Sequence, residues 1–381
     1  MTVGQARELL VIAGEKSGDE YGAALVRELR ARNPALQVAG LGGPKMAAAG
    51  VQLLEDLASG MTMGFSGLVT TLRRLCRAYR HITHRLSSNP PDAIVLIDLP
   101  EFNLRIARHA KHVGVPVIYY VSPQVWAWRR GRIRKIAERV QKMLCLFDFE
   151  KELYQRAGVD VTHVGHPLLD ALADKLDGVD RLALRRSLGL RPAGQVIGLL
   201  PGSRSNEIRH VFPVLLRAAE IIQRQMKNVQ FVVAQAEGVD GASLGRTAER
   251  HHVEFQTVTG RTHDVMLASD LLLVCSGTAT LEAGLLGTPM VVTYQTDLLS
   301  YLFLAPLIAP GRYALPNIVA GRELVPEFYL FDARAEKVAA AALEMLNGRL
   351  DDVRRELKVI RQKLGRPGAT ARAAEEILKI I

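Results

Sequence analysis

An aspartate that ends an apolar run just before a proline is well placed to handle a proton. Here that residue is Asp98, in Ile97-Asp98-Leu99-Pro100-Glu101-Phe102-Asn103. A carboxylate at the end of a buried strand is either a helix cap or a catalytic group whose pKa is raised by desolvation. A second candidate loop is Gly14-Glu15-Lys16-Ser17-Gly18-Asp19-Glu20, between an apolar run and an amphipathic stretch. Ser17 and Glu20 have capping-box spacing, so Ser17 is expected to cap the helix that follows. Gly14 and Gly18 let the backbone approach a ligand closely. The glycine spacing matches neither the dinucleotide fingerprint nor a Walker A loop.

In the second half two loops carry phosphate chemistry. Gly198-Leu199-Leu200-Pro201-Gly202-Ser203-Arg204 runs from strand into loop, with Glu207 opening a helix. Backbone N–H groups at such a start, together with Arg204, form a diphosphate site. Cys275-Ser276-Gly277-Thr278-Ala279-Thr280-Leu281-Glu282 repeats the arrangement, and Glu282, one turn in, can accept hydrogen bonds from both hydroxyls of a ribose. Two anion-binding helix starts in one domain are far more specific than one.

Other clusters point in competing directions. Trp126 and Trp128 interleave with Arg129, Arg130, Arg132 and Arg134, a pattern that can stack bases or simply face solvent. No recognised nucleic-acid module surrounds it, so nucleic acid is not expected as a partner. His109/His112 and His163/His166 lack a third ligand, and no Asp-x-Asp occurs anywhere, so no metal is expected. Met61, Met63, Phe65, Leu68 and Val69 precede Arg73, Arg74, Arg77, Arg80 and Arg85. Apolar bulk beside that many cations describes an interfacial membrane segment. A core-packed helix with a solvated basic face fits equally well.

The elements that must position these groups follow from the apolar runs. Leu9–Ala13, Gln37–Leu41, Ala93–Asp98, Val115–Val121 and Met143–Phe147 are predicted strands separated by helices. After a pause between about 168 and 194 the alternation resumes with Val196–Leu200, Val229–Ala234, Val253–Val258, Leu271–Cys275 and Met290–Tyr294. Continuous apolar strands with helices between them imply a parallel sheet covered on both faces. The tail from Glu336 to Ile381 is predicted helical, broken only near Gly365–Gly368. A chain of 381 residues fits two such domains, which would present their strand ends to a shared cleft.

Composition narrows the setting. Lys+Arg 49 against Asp+Glu 39 gives +10, which suits an anionic partner or surface. Three scattered cysteines argue against a disulfide framework. Arg7 and Glu8 precede the first apolar run, unlike a signal peptide, and the nearest approach to a membrane span, Leu298–Ala309, is short and contains Pro306. A cytoplasmic protein able to touch a membrane is the expectation.

Taken in order, Ala13 through Asp19, Ile97-Asp98 with Phe102-Asn103, Tyr120-Val121-Ser122-Pro123 with Val125-Trp126-Ala127-Trp128-Arg129, Gly165-His166-Pro167, Leu200 through Arg204, Ser276 through Glu282 and Leu315-Pro316-Asn317 closely resemble lipid-A-disaccharide synthase. The matches run from about residue 9 to 330. The resemblance implies a GT-B fold, two doubly wound Rossmann-like domains facing a cleft. They would be 1–167 on the acceptor and membrane side and 168–381 on the UDP side, with terminal helices from about 352 packing back on the first. It implies an inverting, metal-independent transfer from UDP-2,3-diacylglucosamine to 2,3-diacylglucosamine 1-phosphate, giving a β-1',6-linked disaccharide 1-phosphate and UDP. No cofactor is implied. The place of action would be the cytoplasmic face of the Gram-negative inner membrane, which favours the membrane reading of Met61–Arg85.

By the same resemblance Asp98 is the candidate base, with Arg204 and Glu282 in the UDP site. Gly202, Ser203 and Ser276, Gly277, Thr278 and Ala279 would meet the diphosphate, and Leu315–Asn317 the uridine. Gly14, Glu15, Ser17, Gly18, Asp19, Ser122, Trp126 and His166 would serve the sugars. Relatives often carry Asp where this chain has Glu101, so no role needing exact reach falls there. Rival readings are a UDP-N-acetylglucosamine 2-epimerase or another lipid-linked transferase of the same fold, and a basic, non-catalytic membrane or nucleic-acid binder.

Overall fold

In the computed structural model the described residues are 7–57, 65–123, 125, 131–176, 178–295 and 312–381, without the side chains of 65–71 and 243. They fall into two compact units. One contains the chain up to Ala171 together with Leu364–Ile381, the other Leu172–Lys363. The division thus lies at 171/172 rather than 167/168, and the segment that rejoins the first unit begins at 364 rather than about 352. Helix Leu350–Lys363 stays with the second unit, packed on helix Thr278–Leu285.

The first unit holds seven parallel strands: β1 (Glu8–Ala13), β2 (Gln37–Gly42), β3 (Gln52–Asp56), β4 (Ala93–Ile97), β5 (Val117–Tyr120), β6 (Lys142–Cys145) and β7 (Val161–His163), in the order β3-β2-β1-β4-β5-β6-β7. β4 is buried at every residue and β1 at all but its first, as a sheet covered on both faces requires. Strand order reverses between β1 and β4, where Ala13 pairs with Ile97. The loops leaving these two strands therefore part in opposite directions and open the crevice where ligands bind such sheets. Gly14 and Asp98 are the first residues of those two loops.

The second unit repeats the plan with β8 (Gln195–Leu200), β9 (Val229–Gln235), β10 (Phe255–Thr259), β11 (Leu271–Cys275), β12 (Met290–Tyr294) and β13 (Glu327–Tyr329), in the order β10-β9-β8-β11-β12-β13. Its reversal lies between β8 and β11, so the loops at Pro201–Arg204 and Ser276–Ala279 leave from that point.

Three strands were not expected: β3, β7 and β13. All are sheet edges, short and partly exposed, and β3 and β13 carry acidic residues, so they lack a continuous apolar signal. The tail has a break that was not expected, at Gly348 (φ 136°), between helices Ala335–Glu344 and Leu350–Lys363. The last helix, Ala369–Leu378, packs on Lys16–Arg32, and Asp170 accepts from the N–H groups of Gly368 (2.5 Å), Ala369 (3.3 Å) and Thr370 (3.0 Å) at its start.

Candidate functional site

At the crevice of the first sheet the backbone is strained. Asp98 and Leu99 both lie in the left-handed region, at φ 50° and 44°, and Val121, just after β5, has φ 64°. Such conformations cost about 1–3 kcal/mol each and persist only where the surroundings over-determine them, most often at functional sites. The helix Pro100–His112 takes Leu99, not Asp98, as its N-cap residue. The Asp98 carbonyl accepts from Asn103 Nδ2 at 2.7 Å and from Tyr119 Oη at 2.5 Å. Glu101 is ion-paired with Arg132.

The neighbouring loop is built tightly against this turn. A Cβ on Gly14 would stand 2.2 Å from Leu99 Cδ2, so only glycine lets Leu99 lie there. Gly18 is buried over Ala13 and Ile97. One expectation for this loop needs correcting. Helix Lys16–Arg32 takes Glu15 as its N-cap, which leaves Ser17 inside the first turn, and Glu20 instead reaches Lys45 Nζ at 2.5 Å. Asp19, 3% exposed, accepts from the N–H groups of Gly43 (2.7 Å), Met46 (3.0 Å) and Lys45 (3.0 Å). Its carboxylate caps helix Pro44–Ala48. Glu15 and Ser17 stay half-buried at the crevice.

Ser122 is buried and donates to Glu150, whose other oxygen accepts from the N–H groups of Leu146 (3.2 Å) and Phe147 (3.1 Å). This buried carboxylate ties the ends of β5 and β6 together and holds Ser122 in the interior. His166 is also interior. Its Nδ1 accepts from the Leu168 N–H at 3.2 Å, its ring lies against Tyr21 and Phe147, and burial lowers its pKa to about 3. It is therefore neutral at working pH. The adjoining Gly165 is where Leu364–Ile381 rejoins the unit: Arg372 donates to Val164 O at 2.9 Å and the His166 N–H to Leu364 O at 3.3 Å. Gly165-His166-Pro167 thus reads as a structural junction. Trp126 lies outside the described residues.

Of the expected membrane set, Met61 and Met63 lie outside the described residues. Phe65, Leu68 and Val69 fall in helix Phe65–Ser88, their side chains outside the description. Arg73 and Arg77 are exposed and Arg74 half-buried, next to an exposed Leu72. Among the described residues no helix is long and apolar enough to cross a membrane.

In the second unit the two helix starts differ. At the first, Glu207 Oε2 accepts from the N–H groups of Ser203 (2.9 Å) and Arg204 (3.3 Å), and Oε1 meets Arg204 Nη1 at 3.2 Å. Gly202 (φ 114°) has no room for a Cβ beside Glu207. This start already holds an anion of its own, the Glu207 carboxylate. The Arg204 side chain remains half exposed.

At the second start, Gly277 adopts φ 155° with open space around its Cβ position, and Thr278 is exposed. Among the described residues the N–H groups of Gly277, Thr278 and Ala279 have no hydrogen-bond partner. Helix Thr278–Leu285 points its positive end to the same place. Ser276 is anchored by Tyr329 Oη at 3.0 Å. Glu282 Oε2 meets His263 Nε2 at 3.2 Å. His263 lies in the first turn of helix Thr262–Ala268, after β10, and no sequence motif links it to Glu282 because the two helices follow strands that are not neighbours in the sheet.

Asn317 lies in the interior of the second unit. It is fully buried, with Oδ1 accepting from Leu324 N (2.7 Å) and Val325 N (2.9 Å) and Nδ2 donating to Val325 O (2.8 Å). The amide folds the segment after helix Leu315–Ala320 back on itself.

A family model described as Lipid-A-disaccharide synthetase matches residues 9–380. The chain belongs to this family. It is 40% identical over 376 residues to the lipid-A-disaccharide synthase of Syntrophus aciditrophicus, covering 98% of this chain and 97% of that protein. It is 37% identical over 383 residues to that of Geobacter sulfurreducens, covering 100% and 99%. Lipid-A-disaccharide synthases are glycosyltransferases, and this chain is an enzyme of lipid A disaccharide formation. Solved structures agree on the fold. S. aureus MnaA with UDP superposes with a TM-score of 0.68 at 12% identity over 98% of both chains. The glycosyltransferase of kitacinnamycin superposes at 0.63 and 19%, over 98% of this chain and 99% of that one. The fold is GT-B.

Proposed function

We propose that the protein transfers the sugar of UDP-2,3-diacylglucosamine to the 6-hydroxyl of 2,3-diacylglucosamine 1-phosphate with inversion, releasing UDP. One observation carries this reading: a strained aspartate occupies the reversal point of the first sheet, and an open, glycine-led helix start occupies the same point of the second. The first suits a fixed base, the second a departing diphosphate.

On this reading Asp98 takes the proton of the acceptor hydroxyl as its oxygen attacks the anomeric carbon, and inversion needs only that one base. The N–H groups of Gly277, Thr278 and Ala279 meet the diphosphate, and the exposed Arg204 guanidinium, exchanging Glu207 for a phosphate oxygen, neutralises charge that builds as the glycosidic bond stretches. Glu282, steadied by His263, accepts from the ribose, and the segment around Leu315–Asn317 borders the uracil through its backbone. Gly14, Glu15, Ser17 and Gly18 border the sugars. The chemistry asks no divalent ion of these groups.

Incubating the protein with both lipid substrates should yield UDP and a disaccharide 1-phosphate. UDP release without any need for acceptor, or loss of the donor to a C2 epimer, would overturn the reading.

We further propose that the apolar and basic stretch from Met61 to Arg77 rests on the anionic surface of the inner membrane, from which both lipids come. Changing Met63 and Phe65 together to Ser should lower liposome binding more than activity on detergent-dispersed substrate, as a flotation assay would report. Unchanged flotation would remove the segment from that role.

A further inference from the structure

We propose that Asn103 and Tyr119 are positioning residues for the transfer, clamping the Asp98–Leu99 turn so that the Asp98 carboxylate keeps one direction throughout the reaction. The proposal rests on the reading of Asp98 as the base. Two consecutive non-glycine residues in the left-handed region do not persist without restraint. Here the restraint comes from two buried side chains. Asn103 Nδ2 donates to Ile97 O at 3.1 Å and to Asp98 O at 2.7 Å, and Tyr119 Oη donates to the same Asp98 carbonyl at 2.5 Å. The Leu99 side chain packs onto Gly14, in the space that a Cβ there would fill.

The Asn103 amide can face only one way. Its Nδ2 serves two carbonyls, and turning it over would set Oδ1 against both. That preference outweighs the cost of leaving Oδ1, buried in a residue with 0% exposure, without a partner. Tyr119 is equally fixed: it is fully buried, and burial together with the charge of Asp98 raises its pKa far above the usual phenol range, so it stays a donor. With φ set and the carbonyl held by two donors, the Cα–Cβ bond of Asp98 has one direction. Neither clamp residue needs to touch substrate; both act through Asp98.

The test is a set of mutant cycles on detergent-dispersed substrates, with Tyr119→Phe, Asn103→Ala, Asp98→Ala and the doubles with Asp98→Ala. Freeing the carboxylate to wander by about 1 Å should lower kcat about 10–100-fold while the donor KM stays within about twofold. In the Asp98→Ala background the same substitutions should cause no further loss, because there is no carboxylate left to aim. If Asn103→Ala fails to fold by circular dichroism, Tyr119→Phe, which deletes one buried oxygen, carries the test alone. Wild-type kcat in Tyr119→Phe overturns the clamp, as does a loss that multiplies with that of Asp98→Ala. Near-normal turnover in Asp98→Ala itself would instead overturn the base assignment and the clamp with it, so the two failures are told apart.

Discussion

The two sheets reverse their strand order at equivalent places, yet the chain treats the two places in opposite ways. After β4 and β5 the backbone forces Asp98, Leu99 and Val121 into left-handed conformations and secures the turn with buried donors. After β8 and β11 the positive φ values fall on Gly202 and Gly277, where they cost little. The difference follows from what each place must present. A base works through one side chain in one direction, so the side chain must be kept and its backbone held by force. A diphosphate is met by main-chain N–H groups, so the best residue is one with no side chain in the way. Within the second unit the contrast recurs: the start at Ser203 is closed by its own Glu207, while the start at Gly277 is open.

The largest test of this contrast is Asp98→Ala. Loss of a proton-transfer group should lower kcat about 10²–10⁴-fold with the melting temperature nearly unchanged. Near-normal turnover in a folded protein would end the idea that the strained side is the chemical one.

Gly277→Ala addresses the other side. The site has room for the methyl group, so the effect would come from φ alone. A strain of about 1–3 kcal/mol, relieved by tilting the loop, should weaken UDP binding about tenfold. Titration calorimetry giving the wild-type affinity would show that the open start does not meet the diphosphate.

A last test bears on how the interior of the first unit is held. His166 has its pKa lowered to about 3 by burial. Between about pH 6.5 and 3 the unfolded chain binds a proton there that the folded chain refuses, so stability falls as pH falls through that window. His166→Gln should flatten the dependence by up to about 1.4 kcal/mol per pH unit, read from urea midpoints. Parallel curves would mean that the ring takes up its proton in the folded state.

Much of this was legible beforehand because it depended on neighbours in sequence. The central strands announce themselves as apolar runs, and the residues just beyond them, Gly14, Asp98, Gly202 and Ser276, stand where a parallel sheet places its ligand loops. The edges β3, β7 and β13 were not legible, since a short strand exposed on one side has no continuous pattern to read. The surroundings of polar residues were the least legible. Asp19, Ser122, Asn317 and His166 have the types that bind substrates, and each is buried and engaged with backbone or side-chain partners from its own unit. A polar side chain is chosen for its hydrogen bonds, and type alone does not say whether ligand or backbone makes them.

The sequence by itself therefore determined the two parallel sheets, the family and the strand ends that carry chemistry, because each rests on local periodicity or on contiguous motifs. Only the tertiary structure decided which polar groups are consumed in holding the fold. It alone brought Tyr119 to the Asp98 carbonyl and His263 to Glu282. It also placed strain at Asp98, since a left-handed turn at an ordinary residue exists only where several distant parts of the chain hold it closed.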